Sequence, residues 1–159
     1  ATGKYPFAFE LISVNGYFDK IYDDIREEFL KKGLKIRYIN KCGEDYKIKI
    51  DCREIRRVIF NILDNTVKYN DREDKESEIY ISKEDGMLVI KISDNGKGVD
   101  DEILCKLFES FYRADPSRTN PSQGSGLGLA IAKNIVEAHR GEIEASNNNG
   151  LTIVIKLPM

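Results

Sequence analysis

Asp51-Cys-Arg-Glu54-Ile55-Arg-Arg-Val58-Ile59-Phe-Asn61-Ile62-Leu63-Asp-Asn65-Thr-Val67-Lys68-Tyr69 is the best-marked segment of this chain. Asp51, with Glu54 three residues on, is a variant of the capping box that opens a helix. Ile55, Val58, Ile59, Ile62, Leu63 and Val67 then recur at helical spacing and define one apolar stripe. An amphipathic helix of this kind has to lay its stripe on another layer, and the flanking sequence supplies strands. On the N-terminal side, Val14, Phe18, Ile21, Ile25 and Phe29 predict a helix from Val14 to Lys32, stopped at Gly33. Strand-like runs follow at Leu34–Ile39 and Tyr46–Ile50, the second alternating Lys47 and Lys49 with Ile48 and Ile50. On the C-terminal side, Glu78–Ser82 and Met87–Ser93 flank the turn signal Asp85-Gly86 and predict a hairpin. A third helical stretch is expected from about Asp101 to Phe111 and a fourth from about Gly126 to His139, ending at Gly141. Strands Glu142–Ser146 and Leu151–Leu157 close the chain around Asn147-Asn148-Asn149-Gly150. The element order predicts one α+β domain, a two-layer sandwich whose mixed, largely antiparallel sheet carries its helices on one face. Residues 1–9 read as a lead-in or a cloning remnant and 10–159 as the domain. Opening on Ala1 rather than methionine, the chain reads as a piece of something larger.

Composition narrows the function. The 159 residues carry 25 Lys+Arg against 27 Asp+Glu, a net charge of −2. That balance counts against a nucleic-acid partner, whose footprint is a strong basic excess. Hydrophobic residues at 41% are enough for a core. No apolar run approaches the ~20 residues of a membrane span, so no direct membrane contact is expected. Three widely spaced cysteines (Cys42, Cys52, Cys105) match neither a disulfide framework nor a zinc pattern, and point to a reducing cytoplasmic setting.

Three stretches carry chemistry. Asn61, Asn65 and Lys68 lie at i, i+4 and i+7 on the side of the second helix opposite its apolar stripe. Alone, this reads as a solvated polar face. It would also present a carboxamide oxygen to Mg²⁺ with a lysine nearby for phosphate, and so weak a ligand suits an ion that arrives with its nucleotide. In Asp94-Asn-Gly96-Lys-Gly98, the two-residue period puts Asp94 on the same face as Leu88, Ile90 and Ile92. A carboxylate at the rim of an apolar face can accept from an exocyclic amino group such as adenine N6, and Gly96 and Gly98 admit a flat ring close to the backbone. Gly124-Ser-Gly126-Leu127-Gly128-Leu129 opens the fourth helix, where free N–H groups and the helix dipole favour an anion. The preceding polar loop, Tyr112–Ser125, is long enough to be functional and carries Arg113 and Arg118, which could close over phosphates.

The order of these stretches resembles the catalytic, ATP-binding domain of bacterial sensor histidine kinases, within the gyrase/Hsp90/histidine-kinase/MutL superfamily. Asn61-Ile-Leu-Asp-Asn65-Thr-Val-Lys68-Tyr69 is similar to the N box and Asp94-Asn-Gly96-Lys-Gly98 to the first glycine box. Phe108-Glu-Ser-Phe111-Tyr-Arg113 is similar to the F box and Gly124-Ser-Gly126-Leu-Gly128-Leu129 to the second glycine box. The resemblance implies a Bergerat-type fold with ATP under the loop of residues 112–125. It implies Mg²⁺ on Asn65, a supporting role for Asn61, and phosphate contacts from Lys68 and Arg113, with Asn61, Lys68 and Arg113 as the catalytic group. Tyr69 is expected to border the adenine, Asp94 to read its N6 amino group, and Gly126, Leu127, Gly128 and Leu129 to offer backbone contacts to phosphate. Ser110, Gln123 and Arg140 depart from the family pattern, Arg140 by interrupting a usual His-Gly-Gly.

Hydrolysing members of the superfamily hold a glutamate four residues before the metal-binding asparagine; Asn61 stands there and cannot act as a base near neutral pH. Asp64 projects to another side of the helix. The implied reaction is therefore phosphoryl transfer from Mg-ATP to a histidine on a dimerisation domain absent from this chain, and then on to a response regulator. His139, the single histidine, reads as a surface or helix-end residue rather than the phosphoacceptor. The alternative is a degenerate nucleotide-binding regulatory module that transfers nothing.

Overall fold

A computed structural model describes residues 6–109 and 125–159. The elements run β1 (Glu10–Ser13), α1 (Val14–Lys31), β2 (Leu34–Asn40), β3 (Lys47–Ile50), α2 (Cys52–Tyr69), β4 (Lys75–Glu84), β5 (Met87–Asp94), α3 (Asp101–Leu104), α4 (Ser125–Ala138), β6 (Glu142–Asn147) and β7 (Leu151–Pro158). Among the described residues, five strands form one sheet in the order β2-β4-β5-β7-β6, while β1 and β3 pair separately. Only the β2–β4 pair of the main sheet is parallel. The sheet is thus mixed and largely antiparallel, as expected.

Period-two alternation sorts the sheet's faces. Ile36, Ile79, Ile81, Leu88, Ile90, Ile92, Ile153, Ile155 and Leu157 are buried in one core with the apolar stripes of α1, α2 and α4. The other face is solvated: Arg37 pairs with Glu78 at 3.3 Å, and the Lys91 ammonium sits over the Tyr80 ring. Burying five large apolar side chains on each of α1 and α2 is the dominant stabilising term, at about 1.5–3 kcal/mol for each side chain. α1 stops as predicted, with Gly33 in the left-handed region (φ 86°). At the head of α2, the Asp51 carboxylate accepts from Glu54 N at 3.0 Å. Its second oxygen accepts from Ala8 N at 2.8 Å, so the carboxylate that caps the helix also ties down the segment before β1.

Four features differ from the sequence reading. β1 was not expected; Leu11 and Ile12 pair with Lys49 and Ile48, a register that only β3 creates. Ser13 then caps α1 by accepting from Gly16 N at 3.0 Å, and donates at 2.6 Å to Asp45. That bond and the one from Asn15 N hold the Asp45 carboxyl below the usual carboxylate range. Its contribution to stability is therefore present above the unfolded value and fades as pH falls through the folded one. The third helical stretch is short: after Leu104 the backbone bonds run to the third residue back (Lys106 N to Ile103 O, Glu109 N to Lys106 O), which tightens the chain out of α-helical geometry. Phe111 lies outside the described residues.

His139 stands at the end of α4, as one of the two expected placements had it, but it is not on the surface. It is buried; its Nε2 accepts from Asp51 N at 3.0 Å and its Nδ1–H donates to Ile135 O at 2.8 Å, which fixes the tautomer. Phe7 and Phe9 meet the ring edge-on. The stop after α4 is also not a glycine stop. Arg140 occupies the left-handed position (φ 62°), and Gly141 follows because a side chain there would collide with the carbonyl of Lys156. A left-handed arginine costs about 1–2 kcal/mol against glycine's freedom. Arg140→Gly is expected to raise stability by about 0.5–1 kcal/mol, and an unchanged urea midpoint would refute the cost assigned to this position.

Candidate functional site

The C-terminal turns of α2, the end of β5 and its following loop, α3 and α4 enclose a hollow of about 530 Å³, counting its open mouth. Asn65, Tyr69, Asp94, Gly96, Gly98 and Leu129 all line it, although they come from three separate sequence motifs. Ile103, Leu107 and Leu151 add apolar wall, so the interior is mostly greasy with a few polar groups at its edge, the usual make-up of a site for a flat heterocycle.

Asp94 is held by two backbone donors, Gly96 N at 2.8 Å and Leu151 N at 3.3 Å, both to Oδ1. These bonds fix the carboxylate at the hollow's edge. Asn95 points the other way and ties the loop down: its Nδ2 donates to Asp74 O at 2.9 Å, and its Oδ1 accepts from Asn70 Nδ2 and Glu76 N. Asn70, buried at the end of α2, thereby joins the Asn-rich helix to the Asp94 loop. Gly96 packs against the Asn70 and Asp94 side chains, where an added Cβ would come within 3.1 Å of both. Gly98 is left-handed (φ 79°), and its missing Cβ leaves room for Asn147.

Asn65 carries a further mark. Its Nδ2 is buried and has no hydrogen-bond partner among the described residues. An unmatched buried amide costs about 1–3 kcal/mol, and such a cost at the wall of a hollow is relieved when a ligand with polar groups enters. The orphaned group is a donor and calls for an acceptor such as a phosphate oxygen; with one carboxylate, two glycines and an apolar wall beside it, the residues fit a nucleotide, whose ion Asn65 could hold only through Oδ1. Among the described residues no group of three His, Cys, Asp or Glu side chains could hold a metal on its own.

Of the other expected site residues, Asn61 and Lys68 stand on α2 but do not line the hollow. Gly126, Leu127 and Gly128 fall in the first turn of α4. Arg113, Arg118 and Gly124, and with them the phosphate-closing loop, lie outside the described residues. Asp64 turns away toward α1, 3.2 Å from Lys32 Nζ. Of the three free thiols, burial pushes Cys42 up, and burial with the Glu10 carboxylate pushes Cys52 up to about 11, so neither is a ready nucleophile. Sequence reasoning missed Asn70, Val99, Asn147, Gly150 and Leu151. Their only signal was a helix-ending asparagine and a turn-type Asn-Gly pair, which report turns and not a wall.

Residues 50–159 match the family described as "Histidine kinase-, DNA gyrase B-, and HSP90-like ATPase". The chain belongs to that family, whose description implies nucleotide binding. Among curated relatives, sensor histidine kinase YvrG of Bacillus subtilis is 30% identical over 96% of this chain. Signal transduction histidine-protein kinase BaeS of Escherichia coli is 37% identical over 84% of it. The chain spans only 26% and 28% of those two proteins. The catalytic domain of histidine kinase ThkA superposes with a TM-score of 0.76 at 23% identity, covering 96% of both chains. ShkA, solved full-length in complex with AMPPNP, gives a TM-score of 0.78 at 21% identity over 97% of this chain and 32% of its own. ThkA in complex with the response regulator TrrA gives 0.74 at 18%, over 94% of this chain and 41% of its own. These structures share the fold.

Proposed function

We propose that this domain binds Mg-ATP in the hollow and is the ATP-binding part of a protein-histidine kinase. It would pass the γ-phosphoryl group to a histidine on a separate dimerisation domain, from which a response regulator takes it. The observation that carries this reading is the convergence of Asn65, Tyr69, Asp94, Gly96, Gly98 and Leu129 on one hollow. Asp94 accepts from the adenine N6 amino group, Tyr69 borders the ring, and Gly96 and Gly98 let it approach the backbone. Asn65 holds the Mg²⁺ that enters with the nucleotide; that ion neutralises phosphate charge. Asn61 supports the phosphate side of the site, and Lys68 and Arg113, with Arg118, meet the phosphates, as do backbone N–H groups of Gly124, Gly126, Leu127, Gly128 and Leu129.

Two observations favour transfer over hydrolysis. Asn61 stands where a water-activating carboxylate would be needed, and the neighbouring Asp64 is turned toward Lys32. An imidazole is nucleophilic enough to need positioning and charge stabilisation rather than a general base. The acceptor is not His139, since both of its ring nitrogens are engaged inside the core. A reducing cytoplasmic location fits the three free thiols; among the described residues no helix is long and apolar enough to cross a membrane.

A calorimetric titration with ATP, with and without Mg²⁺, tests the reading. Saturable one-to-one binding that tightens with Mg²⁺ is expected, and no heat at millimolar ATP would instead support a degenerate module. Asn65→Ala should abolish most of the Mg²⁺ enhancement, lowering affinity about tenfold in its presence, or ~1.4 kcal/mol. Full Mg²⁺-dependent affinity in that variant would remove Asn65 from the metal site.

A further inference from the structure

We propose that Asn147, in the turn between β6 and β7, is a positioning residue that sets the adenine wall and thereby the base selectivity of the site. This inference rests on the nucleotide reading above. The Asn147 side chain grips one residue of the wall with both hands: its Oδ1 accepts from Val99 N at 3.0 Å and its Nδ2 donates to Val99 O at 2.6 Å. A strand would make such a pair with its backbone; here a side chain makes it, across 48 residues of sequence. Asn147 Oδ1 also fills the space over Gly98, so any side chain at 98 would collide with it.

The same turn grips the other end of the segment. Leu151 N donates to the Asp94 carboxylate, and Gly150 lies directly against the Asp94 carbonyl. Residues 94–99 are therefore pinned at both ends by residues 147–151, with Gly96 and Gly98 lining the hollow between the pins. The N-terminal pin has reinforcement from Asn95 and Asn70. At Val99, the described side-chain bonds come from Asn147 alone. Releasing it frees Gly98 and Val99 to move off a bound ring while Asp94 stays in place. A loosened wall excludes a wrong base less well, because exclusion depends on a rigid boundary. The contact is neutral and sits at the surface, so its loss should cost binding more than folding.

The test compares Asn147→Ala, Asn147→Asp and Asn148→Ala with the unaltered chain, measuring ATP and GTP dissociation constants and the thermal midpoint without nucleotide. Asn148 shares the turn but makes no side-chain hydrogen bond among the described residues. Asn147→Ala should weaken ATP about five- to tenfold, weaken GTP less, and so narrow the ATP:GTP ratio, with a midpoint shift of about 2 °C or less. Asn147→Asp, which keeps the acceptor for Val99 N, should recover part of the ratio, and Asn148→Ala should match the unaltered chain. An unchanged ratio in Asn147→Ala overturns the inference, as does a ratio lost equally in Asn148→Ala. If the unaltered chain binds neither nucleotide, the functional reading itself has failed instead.

Discussion

Asp94→Ala is expected to lower ATP affinity by at least about a hundredfold, equivalent to ~2.8 kcal/mol. The carboxylate has two tasks in the structure. It accepts from the backbone N–H groups of Gly96 and Leu151, and in the proposed function it accepts from the adenine amino group. Hydrogen bonds to a charged acceptor contribute about 1.5–3 kcal/mol each, and truncation also leaves the two backbone donors without their partner. Asp94→Asn separates these tasks. Its amide oxygen can still accept from Gly96 and Leu151, so folding should be nearly unaffected. Its NH₂ group, however, faces another donor at adenine N6. The expected result is a normal urea midpoint with ATP affinity reduced and the preference over GTP diminished. Calorimetry on both variants decides the point: an Asp94→Asn domain that still favours ATP over GTP as strongly as before means that something other than Asp94 reads the base.

Gly150→Ala should destabilise the domain by about 2–4 kcal/mol and impair ATP binding with it. Two costs combine there. The backbone sits at φ 132°, a conformation that side chains rarely adopt, and an added Cβ would overlap the carbonyl of Asp94. Gly86→Ala isolates the first cost, because Gly86 has a φ of 76° but nothing within 4 Å of an added Cβ. Left-handed strain alone should cost that variant about 1–2 kcal/mol. A urea midpoint for Gly150→Ala no lower than that for Gly86→Ala would show that β7 yields without strain. The contact between Gly150 and Asp94 would then not define the site.

The helices were legible because burying a stripe imposes a period, and a period is written in consecutive residues. Val14 to Phe29 and Ile55 to Val67 both lie where their spacing put them, and Asp51 caps α2 as its type predicts. The hairpin around Asp85-Gly86 and the closing strands were legible for the same reason, since turn chemistry and alternation are local. Asp94, Gly96 and the Asn65 face could be singled out because their stretches follow one another in the order of the family's motifs; taken alone, each also fits an ordinary turn or a solvated helix face. What no local signal carries is which distant segments meet. β1 forms because β3 offers it a register, His139 is buried because Asp51 N and Phe9 close over it, and the loop after Asp94 is shaped by Asn147 and Gly150.

By itself, the sequence determined most of the elements, the layer order, the family resemblance and six residues that line the hollow (Asn65, Tyr69, Asp94, Gly96, Gly98 and Leu129), because each follows from spacing or type along one stretch of chain. The tertiary structure alone decided which side chains brace that hollow and that His139 is closed off in the core. Those outcomes are pairings between residues 40 to 90 positions apart, with separations of 48, 57 and 88 for Asn147–Val99, Leu151–Asp94 and His139–Asp51. A contact at that range is set by the packing of whole elements, and leaves no periodic trace in the residues that make it.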